Sequence, residues 1–194
     1  MKKQDYPIYL DYSATTPIDP QVASTIEWHY SNTYGNASSI HSYGRTAKVV
    51  LEESREIIAR SIGAETAEIF FTAGGTESDN HAIIGTAFAQ RKKYGKDHII
   101  VSAIEHHAVL DSAEYLKSHD FRISFLPVDR NGIVNIVELG IVINDSTALV
   151  SVMHANNETG MIQPIKEIAE LTKKNHIVFH SDTVQTIGKI PVNV

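Results

Sequence analysis

At 194 residues the chain has room for one substantial domain, and 42% hydrophobic against 21% charged residues make it an ordinary globular protein rather than a disordered one. A formal charge of −6, with no basic cluster denser than Arg91-Lys92-Lys93, argues against nucleic acid as a direct partner. Zero cysteines exclude a disulfide framework and a thiol nucleophile within this chain, and make the cytoplasm the expected setting. No apolar run approaches membrane-spanning length, and Met1-Lys2-Lys3-Gln4-Asp5 is followed by no apolar signal region.

In chain order, Ile8–Leu10 reads as a short strand running into the hydroxyl-rich turn Asp11–Pro17. Asp19 is a good N-cap and Pro20 suits a first helical turn, so a helix is expected through about Tyr30. The polar, glycine-containing stretch Asn32–Ser42 reads as a loop. The spacing of Ala47, Val50, Leu51, Ile57 and Ile58 predicts a long amphipathic helix over Tyr43–Ile62, stopped at Gly63. Glu68–Thr72 is β-branched and aromatic and reads as a buried strand. It leads into Ala73-Gly74-Gly75-Thr76, and a helix is expected over Glu77–Tyr94, closed by Gly95. From there strand-like runs at His98–Ser102, Arg122–Val128, Ala148–His154 and Ile177–His180 alternate with helical segments at His107–Ser118 and Ile165–Asn175. A weaker helical segment spans Ile136–Asn144, where Gly140 and β-branched residues work against it. This alternation predicts an α/β fold: a doubly wound, mainly parallel sheet with helices on both faces. No repeat, low-complexity tract or linker suggests a domain boundary, so residues 1–194 are read as one domain.

The apolar strands repeatedly end in polar clusters: Thr72–Ser78, Glu105–His107, His154–Thr159 and His180–Gln185. In an open α/β sheet ligands bind outside the carboxyl ends of the strands, so these clusters would line one edge as a small-molecule site. A glycine pair followed by hydroxyls and a helix start suits an anion, because close backbone approach and unpaired first-turn N–H groups favour negative charge. It is neither a P-loop, since no Lys-Ser/Thr follows, nor the G-x-G-x-x-G fingerprint; it could equally be a plain strand-to-helix connection.

Asp182 follows the apolar run Ile177–Phe179 and would be partly buried; it is either a local turn cap or the counter-ion of a protonated ring nitrogen, as on pyridoxal phosphate. His106 could stack on a planar ring or move protons, or be a hydrogen-bonded structural histidine. Asn157 and Gln185 are neutral amides able to grip a phenolic oxygen or a carboxylate. A metal site drawn from His106, His107, His154 and His180 is disfavoured, because adjacent histidines do not aim at one ion and no H-x-x-x-H spacing accompanies them. Serine hydrolase chemistry lacks the G-x-S-x-G elbow.

The segments Tyr9–Pro17, Gly35–His41, Phe71–Asn80, Glu105–Leu110, His154–Gly160 and His180–Gln185, in order and with matching gaps, resemble the NifS/IscS group of cysteine desulfurases. These are pyridoxal 5′-phosphate enzymes of the class V aminotransferase family with the fold of type I pyridoxal phosphate enzymes. The resemblance implies that Gly75 and Thr76 hold the cofactor phosphate. It also implies that His106 stacks on the pyridine and serves catalysis, and that Asp182 pairs with the ring nitrogen. Asn157 and Gln185 would bond the ring oxygen, with Asn157 near the substrate carboxylate. Ala37 stands where the family often has Pro, and Thr183 where it often has Ala.

In the family, a Ser-x-His-Lys segment supplies the Schiff-base lysine and a later loop supplies the cysteine that receives sulfur as a persulfide. Neither occurs here; Lys189, in Gly188-Lys189-Ile190-Pro191, matches a different family position. The chain therefore resembles the N-terminal half of such an enzyme, with the C-terminal part of the family fold absent. The implied reaction takes L-cysteine to L-alanine, with sulfur passed on for iron–sulfur cluster assembly or tRNA thiolation. The implied partners are a second polypeptide completing the site, a sulfur acceptor such as an iron–sulfur scaffold or tRNA thiolation protein, and a second copy in a homodimer. Other class V aminotransferases, a selenocysteine lyase, and a non-catalytic cofactor-binding or dimerisation module are the alternatives.

Overall fold

The computed structural model describes residues 7–194, so the stretch Met1–Asp5 lies outside the described residues. The described residues divide into two compact units, residues 7–70 with 191–194, and residues 71–190.

The first unit is built on two helices. Helix α1 (Pro20–Asn32) starts where Asp19 Oδ1 accepts the Gln21 N–H at 2.7 Å, as its sequence signals predict. Helix α2 (Ser42–Ile62) is capped by the His41 ring, which accepts from the Gly44 N–H, and ends at Gly63 with φ 72°. Only glycine adopts that left-handed C-terminal conformation without steric cost. The carbonyl of Ile62 accepts from the Val194 N–H at 3.0 Å, which returns the end of the chain to this unit. Gly44, in the first turn of α2, is packed tightly on the preceding loop: a Cβ there would lie 2.3 Å from the Ser39 carbonyl oxygen and 2.7 Å from that of Asn36. Both obstacles are backbone, so Gly44→Ala is expected to cost about 1–3 kcal/mol in denaturant unfolding. Gly85→Ala, where the added Cβ meets only the His81 ring at 3.7 Å, is expected to be neutral or stabilising.

Two expected strands are missing. Ile8–Leu10 is exposed irregular chain rather than a strand. Glu68–Thr72 is likewise no strand, nor is it buried: a 3-10 turn covers Thr66–Glu68 and the chain then runs extended, with Phe70 73% and Phe71 47% exposed. Ile69 takes an extended conformation, but no described strand hydrogen-bonds alongside the segment. The Ile69 carbonyl is taken instead by the Arg55 guanidinium.

The second unit holds the sheet. Helix α3 (Gly75–Tyr94) precedes β1 (His98–Ser102), α4 (His107–Lys117), β2 (Arg122–Leu126), α5 (Ile136–Val142), β3 (Thr147–Ser151), α6 (Ile165–Lys174) and β4 (Val178–His180). All pairings are parallel, in the order β2-β1-β3-β4. The two central strands, β1 and β3, are buried at every position. Alternation splits their side chains between two cores. Ile99, Val101 and Leu149 pack with Ile83 and Ala87 of α3 and Val109, Ala113 and Leu116 of α4. Ile100 and Val150 pack on the other face with Leu139 of α5 and Ile168 of α6. The sheet is therefore covered on both faces, as the strand–helix alternation predicts. The weak segment around Gly140 does form a helix, because Asn135 caps it through the Val137 and Glu138 N–H groups and Leu139 is fully buried. Among the described residues no helix is long and apolar enough to cross a membrane.

Candidate active site

The carboxyl ends of β1, β3 and β4 meet the start of α3 at one edge of the sheet. Helix α3 begins two residues earlier than its apolar pattern suggests, with Gly75 as its first residue, and Gly74 supplies no capping side chain. The Ser78 N–H bonds back to the Gly74 carbonyl, so the N–H groups of Gly75, Thr76 and Glu77 precede the first intrahelical bond. Thr72 Oγ1 lies 2.6 Å from Ser78 Oγ, while the Glu77 carboxylate folds back to accept the Ala73 N–H at 2.6 Å. These bonds fix the loop and leave the backbone donors of Gly75 and Thr76 facing outward along the helix axis.

The turn after β4 lies against this helix start. A Cβ on Gly75 would sit 3.3 Å from a Val184 methyl group. The ladder continues past β4 through Val152 N–H to His180 O (3.1 Å) and His154 N–H to Asp182 O (2.8 Å). Asp182 Oδ1 accepts the Val184 N–H at 2.9 Å, so the carboxylate both shapes its own turn and stands at the sheet edge. Gln185 follows in the same turn, its Oε1 accepting from Lys189 Nζ at 3.1 Å.

His106 caps α4. Its Nδ1 accepts the Ala108 N–H at 3.1 Å, which makes Nε2 the protonated nitrogen of the neutral ring and fixes the imidazole plane. The loop carrying His106 is joined to the loop after β3 by two contacts. Asn156 Nδ2 donates to the Ile104 carbonyl at 2.9 Å, and Glu105 Oε1 accepts the Met153 N–H at 2.7 Å. Asn156 Oδ1 also accepts from the Glu158 and Thr159 N–H groups, which shapes the turn that carries Asn157. Asn157 itself bonds Glu158 Oε1 at 2.9 Å. The structure thus places Gly75, Thr76, Asp182 and Gln185 on one side of the edge and His106 and Asn157 on the other, on loops tied together through β3.

Three buried side-chain atoms at this edge have no hydrogen-bond partner among the described residues: Glu105 Oε2, His154 Nδ1 and Ser181 Oγ. One follows each of β1, β3 and β4. Unpaired buried polar atoms are costly, and their grouping here fits an edge built to receive a polar ligand. Glu105 is the extreme case. Burial pushes its carboxyl up to about 7, against the opposing hydrogen bonds from Ser102 Oγ and the Met153 N–H. Burial also holds His154 below the ordinary histidine value.

The residue chemistry alone does not single out Glu105, Asp79 or Asn156. Asp79 is a buried acid inside α3, and its spacing of four from Gly75 is the one sequence signal that it shares the face of that residue. His106, His107, His154 and His180 do not converge: among the described residues no three His, Cys, Asp or Glu side chains are grouped to hold a metal ion.

Residues 8–194 match the family model for class-V aminotransferases. The cysteine desulfurase IscS of Dictyoglomus turgidum is 50% identical over 187 residues, which cover 96% of this chain and 47% of that protein. Among solved structures, a NifS-like protein superposes with a TM-score of 0.92 at 40% identity, covering 96% of this chain and 51% of its own. SspA in complex with cysteine superposes at 0.91 and 35% identity, covering 96% and 53%. The chain spans about half the length of the curated relatives it matches, corresponding to their N-terminal part. It belongs to the class-V aminotransferase family.

Proposed function

We propose that this chain carries the cofactor-holding half of a pyridoxal 5′-phosphate-dependent cysteine desulfurase. The observation that carries this reading is the uncapped start of α3 beside Asp182, which sets anion donors and a carboxylate at one sheet edge. A cofactor with a phosphate at one end and a protonated ring nitrogen at the other calls for both. The N–H groups of Gly75 and Thr76, with the Thr76 hydroxyl, would hold the phosphate. Asp182 would face the ring nitrogen and keep it protonated. His106, pinned by its own Nδ1 bond, would stack on the ring and present an Nε2 proton on that face. Asn157 and Gln185 would bond the ring oxygen, and Asn157 would also reach the carboxylate of the substrate.

When bound, the cofactor supplies an electron sink for bond breaking at the amino acid. The substrate is L-cysteine, consistent with relatives named cysteine desulfurases and with the structure of SspA in complex with cysteine. Its sulfur would pass to a cysteine thiol outside these 194 residues, because the chain has none. Iron–sulfur cluster assembly or tRNA thiolation is the destination that fits this chemistry, in the cytoplasm and in a complete enzyme that is a homodimer.

The test is a titration of the purified chain with pyridoxamine 5′-phosphate, followed by ligand fluorescence. Binding is expected, and Asp182→Asn is expected to weaken it at least about tenfold, equivalent to about 1.4 kcal/mol of lost charge pairing. No binding by the unaltered chain, or equal binding by the variant, would sink this assignment.

A further inference from the structure

His180 ends β4, two residues before Asp182. Its Nδ1 lies 2.9 Å from Ser151 Oγ on β3, and its Nε2 lies 3.4 Å from Asp79 Oδ1 on α3. Ser151 is 0% exposed and Asp79 5%. The order Ser–His–Asp looks like a hydrolytic triad, but Ser151 lies within the fully buried central strand β3, where no substrate can reach its hydroxyl. A structural account fits better. A buried carboxylate needs a partner, and His180 supplies it to Asp79. An imidazole engaged at both ring nitrogens cannot turn about its last side-chain bond without breaking one contact.

What this one ring joins gives it a role. Asp79 stands one helical turn after Gly75, on the same face of α3. Ser151 belongs to β3, and His180 to the strand that delivers Asp182. The ring therefore braces the first turns of α3 against the strand end, close to where a Val184 methyl group approaches the Gly75 backbone. Glu105, whose carboxyl is raised mainly by burial, also responds to the charges of His180 and Asp182, so the three groups lie in one neighbourhood.

We propose that His180, braced between Ser151 and Asp79, is a positioning residue that fixes the Asp182 carboxylate at a set distance from the N-terminus of α3. A ligand that carries an anionic phosphate and a cationic ring nitrogen on one rigid frame needs that distance held closely, since misplacement of about 1 Å weakens such recognition. The ligand's identity rests on the cofactor reading above; the brace itself does not.

Two measurements separate the two claims. In the free chain, amide hydrogen exchange of Val184, whose N–H is held by Asp182, is expected to accelerate about tenfold in His180→Ala and in Asp79→Ala. Exchange of Ile100 in β1 is expected to stay unchanged. His180→Gln, which keeps an amide near the Nε2 position, is expected to restore most of the protection. In binding, both alanine variants are expected to lose about tenfold for pyridoxamine 5′-phosphate and less than twofold for inorganic phosphate. The brace is overturned if Val184 exchange does not move. It is equally overturned if Val184 and Ile100 accelerate together even in His180→Gln, or if both ligands weaken alike. If the unaltered chain binds neither ligand, the cofactor reading fails, while Val184 exchange still decides the brace.

Discussion

Glu105→Gln is expected to remove about 3 kcal/mol of pH dependence from the stability of this chain between pH 4.5 and 8. Glu105 is 6% exposed, and its carboxyl is pushed up to about 7 from an ordinary 4.5, chiefly by burial. Below pH 4.5 the group is protonated in both the folded and unfolded chain, so burial costs nothing extra. Between 4.5 and about 7 the folded chain holds the proton and the unfolded chain has released it. The folded state then binds more protons, and stability falls as pH rises. Above about 7 the full penalty is present: a difference of about 2.5 in pKa at 1.36 kcal/mol each. Glutamine cannot ionise. Its Oε1 can still accept from Ser102 Oγ and the Met153 N–H, while its Nε2 takes the place of the unpartnered Oε2. That unpaired amide costs a constant amount of about 1–3 kcal/mol at every pH. The informative quantity is therefore the variant-minus-wild-type difference in unfolding free energy, measured by denaturant at pH 5 and pH 8, in which all other titrating groups cancel. Wild type is expected to lose ground on the variant as pH rises. A difference that stays flat would mean that Glu105 is ionised throughout this range, with Oε2 satisfied in solution.

The sheet and its covering helices are legible in the sequence because their signals are local. His98–Ser102 and Thr147–Ser151 are short, apolar and β-branched, and Gly63 and Gly95 stop helices whose periodicity leads up to them. Three of the four polar clusters that mark the candidate edge are legible for the same reason, since they come after β1, β3 and β4; the fourth, Thr72–Ser78, follows a segment that is no strand. The failures are of one kind. Glu68–Thr72 carries strand-forming residues, but a strand also requires a neighbour, and no property of the segment reveals whether one runs beside it. Glu105 reads as an ordinary acid before two histidines. Its burial and its raised pKa depend on Met153 and Ser102 closing over it, contacts that the fold makes and the local sequence does not announce. The same is true of Asp79 and His180: each is unremarkable in its own segment, and they form a unit only because α3 crosses the end of β4. Ile136–Val142 does form the weakly signalled helix, since the cap from Asn135 and the burial of Leu139 outweigh an intrinsically poor helix sequence.

The isolated 194-residue chain, supplied with pyridoxal 5′-phosphate and L-cysteine, is expected to form no alanine above a cofactor-only blank. Desulfuration breaks the bond between the cysteine Cβ and sulfur, and the sulfur must leave to a nucleophile that can hold it, normally a thiolate. These residues contain no cysteine, so no group on the chain can become the persulfide. A lysine that anchors the cofactor covalently is the second requirement. Lys189 is an amine in contact with the candidate site: its Nζ donates to Gln185 Oε1 at 3.1 Å from an exposed side chain. Its exposed position lacks the burial that activates reactive lysines. Borohydride reduction of the chain with bound pyridoxal 5′-phosphate, followed by peptide mass mapping, is therefore expected to leave Lys189 unlabelled. Adding a polypeptide that supplies both a Ser-x-His-Lys segment and a cysteine is expected to raise alanine formation above the blank, with sulfur recovered on that cysteine. Alanine produced by the chain alone, or labelling concentrated at Lys189, would show instead that the site edge completes the chemistry with an amine it already contains and an acceptor thiol drawn from the substrate pool.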